Sequence, residues 1–364
     1  MRVFNTLKWA VMPLVVGLSG CSILGGAVDG PPGTLLAYIS LQSLDQVSVV
    51  SLIQRTPAGD PIPAGSAPIN MVLNPRSDRE YLYVVNGNTD SVSFLNVRTR
   101  QKELSIASGK SPWDIAITPD GRSLYVTNTG DKSVALIDVE NRSRVKTFTF
   151  PSNENFMPRG VATHPVTSDK ANKSEVYIIS EGKKATGGAE IVVLNGTQTV
   201  KTIPLPSAVR PWKGVVTQDG TRLLVTDRDA QFVWSVDLSS GAATPITLSS
   251  SAWDVVATKT AAFVSLPDLS GGTVSAIDLS TNTANTPVSV IPEGGGNKVR
   301  QPQALAVNSS GTELWVALAG SNEVVYFPFV DGVNLPTRPR LVNYSYTPGQ
   351  TGAPEDIVLG RGVQ

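Results

Sequence analysis

Short apolar runs bounded by Pro, Asp-Gly and Asn recur along the chain, and after the N-terminal leader no apolar stripe keeps a helical period. The clearest copy is Pro112-Trp-Asp-Ile-Ala-Ile-Thr-Pro-Asp-Gly121, then Ser123-Leu-Tyr-Val-Thr-Asn128, then Ser133-Val-Ala-Leu-Ile-Asp138. It reads as strand, tight turn, strand, loop, strand. Seven versions begin at Pro68, Pro112, Pro158, Pro211, Ala252, Pro302 and Pro354. A period of roughly 40–50 residues marks stacked blades or a solenoid. Pro suits a strand's first residue, where no ladder donor is needed. The runs that follow, such as Ile115-Ala-Ile and Leu305-Ala-Val, do not alternate with polar residues, so both faces of these strands are expected to be covered. Asp120-Gly121, Asp219-Gly220 and Ser310-Gly311 supply the hairpin turns.

The two ends of the chain decide between a ring and a solenoid. Leu36–Ser40 reads as a second strand and Val47–Ser51 as a third, with no first strand before them. Pro354–Leu359 reads as a first strand with nothing after it. One blade is therefore split between the termini. The expected fold is all-β, a seven-bladed ring closed by the C-terminal strand, which protects strand edges without capping repeats.

Tyr125-Val-Thr-Asn128, flanked by Pro119-Asp-Gly121 and Val134-Ala-Leu-Ile-Asp138, resembles the repeat of the YVTN-family β-propellers, related to lactonase-like and NHL-type propellers. The resemblance covers residues 34–360. It implies a seven-bladed β-propeller and leaves function open, since this fold carries many activities. Leu223-Leu-Val-Thr-Asp227 and Ala262-Phe-Val-Ser265 depart from the motif, and Val166–Ser174 and Gly182–Ala189 interrupt the fourth blade.

Met1–Gly20 has the form of an export signal. Arg2 and Lys8 precede an apolar core, Trp9–Leu18, too short to span a membrane as a mature helix. Leu18-Ser19-Gly20-Cys21 resembles the bacterial lipobox, and Cys21 is the only cysteine. The resemblance implies cleavage before Cys21 and lipidation there, palmitate included. Ser22 at the next position favours the outer membrane. Residues 21–33 then act as lipidated Cys and flexible tether, and residues 34–360 as the propeller. With no further cysteine, burial and strand pairing alone must hold the fold.

The 30 cationic and 30 acidic side chains balance. Without Arg2 and Lys8 the remainder is slightly acidic, which argues against a nucleic-acid partner. A single histidine, His164 at an a-to-b turn, leaves Ser-His-Asp, Cys-His and multi-histidine zinc sites without their parts. The oxygen-rich loops Asn86–Asp90, Asn128–Asp131 and Asp227–Asp229 match no calcium-loop spacing. Asx turns are the expectation there, with no metal and no cofactor.

Candidate chemistry collects at the first two residues after each starting Pro, where propeller topology forms the mouth of the central channel. The first positions are Ile69, Trp113, Arg159, Trp212, Trp253, Gln303 and Glu355. The second are Asn70, Asp114, Gly160, Lys213, Asp254, Ala304 and Asp356. Three of the six tryptophans fall in one column. Two readings stay open. The rim is a binding surface with Trp and Arg anchors, or its tryptophans wedge blades together while its carboxylates bond backbone amides at loop entries. The leading expectation is a non-enzymatic, lipid-anchored envelope scaffold that binds a protein, glycan or small ligand at the rim. The alternative, by resemblance to lactonase-like propellers, is a periplasmic hydrolase with Glu355 or Asp356 as base and Arg159 or Lys213 at the oxyanion.

Overall fold

The structure, a computed structural model, describes residues 35–150, 156–165, 174–182, 189–267, 271–294, 300–329, 332–344 and 352–361. The leader, Cys21, the tether and most of the two insertions in the fourth blade lie outside the described residues. Among the described residues the strands form seven antiparallel sheets arranged as the blades of a β-propeller. We label the strands of each blade a to d from the channel outwards.

Blade 1 is assembled from both ends of the chain. Its strand b (Leu35–Leu41) pairs on one side with strand c (Gln46–Ser51) and on the other with strand a (Pro354–Arg361). Tyr38 sits opposite Val358 and Ile39 opposite Ile357, as the split-blade reading requires. Blades 2 to 5 and 7 begin with strands a at Pro68–Leu73, Pro112–Ile117, Pro158–Thr163, Pro211–Val216 and Pro302–Val307. In blade 6 the regular ladder starts only at Val255, three residues after Ala252, and runs to Ala257. Strand d is the variable one. It spans seven residues in Gln101–Ala107 but only two in Ile62–Pro63 of blade 1, and in blade 6 it is broken into Thr283–Ala284 and Val288–Ser289. Outer edges face water, so less packing constrains them.

Side chains alternate across a strand, and here each face meets a different neighbouring blade. Leu82 and Val84 of blade 2 pack in the cluster shared with blade 1. Their neighbours Tyr83 and Val85 pack in the cluster shared with blade 3. This is why the sequence runs are continuously apolar: neither face is wet. Seven such clusters occur among the described residues, one between each pair of adjacent blades. The closing one joins Ala37, Ile39 and Ile357 of blade 1 to Trp315, Ala317 and Tyr326 of blade 7. The ring is therefore sealed by burial as well as by strand pairing.

In blade 3, Pro112, Asn128, Ser133 and Thr149 stand in one row across the sheet. The d-to-a connections and b-to-c loops thus open on one face, as expected. The a-to-b turns lie on the other. His164 is buried there, its Nε2 3.0 Å from the Tyr177 hydroxyl and its ring edge-on to the Tyr177 ring. That is a packing role.

Ile39 and Ile357 are remote in sequence but face each other in the closing cluster. Ile39→Ala is expected to lower stability by about 2–5 kcal/mol. Combined with Ile357→Ala it should show a coupling of at least about 0.5 kcal/mol in denaturant unfolding, because the two side chains share one interface.

Candidate functional site

The mouth of the channel is shaped by a backbone irregularity at the start of most strands a. Pro112 pairs with Asn128 and Ile115 with Val126, so Trp113 and Asp114 together oppose Thr127. Register shifts of the same kind fall after Pro68, Pro158, Pro211 and Pro302. A bulge re-aims side chains and leaves an unpaired amide. Here the orphaned amide is satisfied by a hydroxyl from strand b. The Asp114 N–H donates to Thr127 Oγ1 (3.0 Å), Lys213 N–H to Thr226 Oγ1 (3.1 Å) and Asp254 N–H to Ser265 Oγ (3.0 Å). The Asp356 N–H donates likewise to Ser40 Oγ (2.9 Å). Three of these hydroxyls then donate to the first-position carbonyl of the next blade: Thr127 to Arg159 (2.8 Å), Thr226 to Trp253 (3.1 Å) and Ser40 to Ile69 (3.2 Å). The Thr of the repeated phrase is thus a bridge between blades.

The second-position aspartates complete the bridge. Asp114 accepts Ile115 N–H on one oxygen and Val161 N–H of the next blade on the other, both at 3.0 Å. Asp254 does the same with Val255 (2.9 Å) and Leu305 (2.7 Å). Asp356 accepts Met71 N–H at 2.7 Å and so ties the last strand to blade 2. Of the two readings of the rim carboxylates, these bonds match the backbone-bonding one for all three aspartates. They are 6–8 % exposed.

Lys213 reaches across the bore. Its Nζ donates to Asn70 Oδ1 of blade 2 at 2.8 Å and lies 3.9 Å from Asp254 Oδ1. Burial alone would push the ammonium down, but Asp254, Asp356, Asp114 and Glu355 outweigh it and hold Lys213 above the ordinary lysine range. Burial pushes Asp356 up to about 7 despite the pull of Lys213, with Asp254 adding like-charge repulsion. Burial raises Asp114 and Glu355 as well, again against Lys213. Gly160 and Ala304 bring no side-chain chemistry to this level, and Gly160 has no room for any: an added Cβ would lie 2.6 Å from the Trp212 carbonyl oxygen.

Around the bore the first positions enclose a cavity of about 170 Å³. All of them but Arg159 line it, together with Asn70, Lys213 and Arg228. Glu355 meets Gln303 on one wall, where Gln303 Nε2 donates to Glu355 Oε2 at 2.6 Å. The opposite side is a ladder of alternating indoles and guanidiniums. Arg159 lies 4.8 Å from the Trp113 ring and 4.2 Å from Trp212; Arg228 lies 4.4 Å from Trp212 and 3.8 Å from Trp253. Trp113 and Trp212 also meet edge to face, 5.3 Å apart. Glu181 joins two of the cations, bonding Arg159 Nε at 2.8 Å and Arg210 Nε.

Sequence reasoning placed the ten rim residues Trp113, Asp114, Arg159, Trp212, Lys213, Trp253, Asp254, Gln303, Glu355 and Asp356 at one end of the channel, and there they meet. It missed Glu181, Arg210 and Arg228. A signal existed. Glu181 and Arg228 both follow the last residue of strand b, and Arg210 immediately precedes a starting Pro. These two columns are joined by a recurring backbone bond: Arg228 N–H to Arg210 C=O (2.9 Å), Glu181 to Met157 (2.8 Å), Thr129 to Ser111 (3.0 Å) and Gly87 to Ala67 (2.9 Å). The last residue of strand b is itself structural. Asp227 accepts the amides of Val209 (2.8 Å) and Arg210 (2.9 Å), and Asn86 accepts that of Gly65 (2.9 Å). Asp90 and Asp131 likewise take loop amides, of Ser111 and Lys110. Cys21 lies outside the described residues.

No family model matches the chain. Solved structures share its fold. A protein from Lactobacillus plantarum superposes with a TM-score of 0.69 at 12% identity, covering 90% of this chain and 100% of its own. Hydrazine synthase from Kuenenia stuttgartiensis gives 0.61 at 21%, covering 72% and 76%. A virginiamycin B lyase from Staphylococcus aureus, solved with quinupristin, gives 0.59 at 13%, covering 81% and 92%. The chain is thus similar in fold to propellers of differing function, enzymes among them.

The raised Asp356 makes stability depend on pH. Its carboxyl keeps a proton in the folded protein up to about pH 7, whereas its ordinary value is 3.8. Between those values the folded state binds more protons, so its contribution to stability is full at the acid end and is lost as pH rises through 7. The melting temperature is expected to fall between pH 5 and pH 8, and Asp356→Asn, which keeps one acceptor for Met71, should flatten that slope in calorimetry.

Proposed function

We propose that this protein is a non-enzymatic binding module of the bacterial cell envelope, anchored to the outer membrane through lipid on Cys21, with its ligand seat at the aromatic and cationic mouth of the channel. The observation that carries the reading is a division of labour at the rim. Asp114, Asp254 and Asp356 all accept backbone amides of the adjacent blade, and a carboxylate so occupied is poorly placed to take a substrate proton. The tryptophans, Arg228, Gln303 and Glu355 instead line a cavity. Trp and Arg in such a setting are the residue types that dominate binding energy. The rigid ring beneath them holds the seat in place, so little ordering is needed on binding. The anchor reading rests on Leu18-Ser19-Gly20-Cys21 and Ser22. The partner is an envelope protein, a glycan or a small molecule, not a nucleic acid.

Lipid-free protein used as bait in envelope extracts tests the seat. Trp113→Ala with Trp253→Ala is expected to abolish capture of the partner while the protein keeps a cooperative melting transition, lowered by the lost indole packing. Asp114→Asn and Asp254→Asn should lower stability alone. Asn can accept one of the two amides but presents its own NH2 to the other, at a cost of about 1–3 kcal/mol each, while capture persists. Turnover of lactones or esters that disappears in Glu355→Gln would replace this reading with the hydrolase one.

The anchor is tested separately. Cys21→Ser is expected to move the protein from the membrane fraction to the soluble fraction and to remove incorporated palmitate label.

A further inference from the structure

The ligand's chemical class follows from the two walls of the mouth cavity, granted that the mouth binds a ligand at all. Arg228 stands in the b-to-c loop of blade 5. Its guanidinium lies between the indoles of Trp212 and Trp253, at 4.4 Å and 3.8 Å from the ring centres. Stacking engages the faces of a guanidinium and leaves its in-plane N–H fork free. Arg159 and Arg210 direct theirs at Glu181, but among the described residues no carboxylate forms an ion pair with Arg228. Three guanidiniums face two carboxylates, Glu181, held by Arg159 and Arg210, and Asp229, which acts on Arg228 without an ion pair to it, so a local excess of positive charge is left for an incoming anion to relieve. A stacked, pre-oriented fork matches a carboxylate or phosphate with two parallel hydrogen bonds.

The other wall selects between those anions. Glu355, held by Gln303 at 2.6 Å, faces the same cavity and opposes a second negative charge. It accepts hydroxyl donors, and Gln303 adds a neutral amide beside it, whereas Asn70 is held by the Trp113 carbonyl and Lys213. A fitting ligand is therefore anionic at one end only and rich in hydroxyls at the other. Size narrows it further. The cavity of about 170 Å³ is close to the ~150 Å³ that accommodates benzene in an engineered cavity, so one six-membered ring fits. The Trp113 and Trp253 indoles, each met by a single guanidinium, add apolar surface to the cavity wall for the C–H face of such a ring.

We infer that the mouth binds a pyranose carrying a single carboxylate, a uronic acid residue, with the carboxylate on Arg228 and the ring hydroxyls on Gln303 and Glu355. A uronate at the end of an acidic polysaccharide chain presents this group to a rigid, recessed seat.

Titration calorimetry at low salt with glucuronate, glucose, benzoate and inorganic phosphate tests the assignment. Glucuronate is expected to bind with a dissociation constant on the order of 1 mM, at least tenfold tighter than each of the other three. Arg228→Gln should weaken glucuronate at least tenfold and leave the weak glucose affinity unchanged. Arg228→Lys, which keeps charge but loses the fork, should lie between. Melting curves of both variants are expected to match the parent. The assignment is overturned if glucose equals glucuronate, if benzoate or phosphate binds more tightly, or if Arg228→Gln has no effect. If no sugar binds while Trp113→Ala with Trp253→Ala still abolishes capture from envelope extracts, the uronate assignment fails and the binding reading stands. If both experiments are blank, both fall.

Discussion

A carboxylate on one blade accepting a backbone amide of the next is the contact on which the mouth of this propeller depends. A bulge at the start of strand a would leave an amide without a partner, and a buried orphan amide costs as much as a lost hydrogen bond. Thr127, Thr226, Ser265 and Ser40 remove that cost within the blade. Asp114, Asp254 and Asp356 then extend the same network sideways. In blades 1, 3, 5 and 6 the start of strand a is thereby fixed in direction, and the rim geometry there becomes a property of the scaffold rather than of loops.

The arrangement divides the channel end into two layers of different chemistry. The inner layer is acidic and internally satisfied, with Lys213 spanning it and carboxylates around its ammonium. The outer layer is aromatic and cationic, with Arg159, Arg210 and Arg228 resting on indoles. Like charges this close repel, and burial together with Arg210 and Arg159 holds Arg228 below its ordinary range. Stacking on Trp faces and the shared carboxylate of Glu181 offset part of that repulsion. The attraction of the inner acids for cations and of the outer guanidiniums for anions gives the cavity a built-in polarity.

The strands, their order and the closure were legible because two-sided burial writes continuous apolar runs into the sequence and because the first blade lacks a strand that the C-terminus supplies. The rim column was legible for the same reason: repetition puts Trp113, Trp212 and Trp253 in one place. The bulge was not, since one additional residue leaves no compositional mark when Pro and Asp-Gly already punctuate the strand. Nor did the sequence decide whether Asp114 binds a ligand or an amide, because an acid beside an aromatic residue looks alike in both roles. Glu181, Arg210 and Arg228 escaped because loops diverge faster than strands, so their columns hold Gly87, Thr129 and Ala67 elsewhere. The short ladder of blade 6 escaped because Ala252 stands where other blades carry Pro.

The pairing of Leu35–Leu41 with Pro354–Arg361 also imposes a timetable. A chain made from its N-terminus exposes Leu35–Leu41 long before Pro354–Arg361. Throughout that interval the hydrogen-bonding edge of Leu35–Leu41 is open to any passing extended segment, which is the setting in which unfinished β-proteins associate wrongly. Completion of the circle thus waits for Pro354–Arg361 to be available. A chain lacking Pro354–Arg361 would keep that edge of Leu35–Leu41 unpaired and its closing cluster without Ile357, a margin open to wrong association.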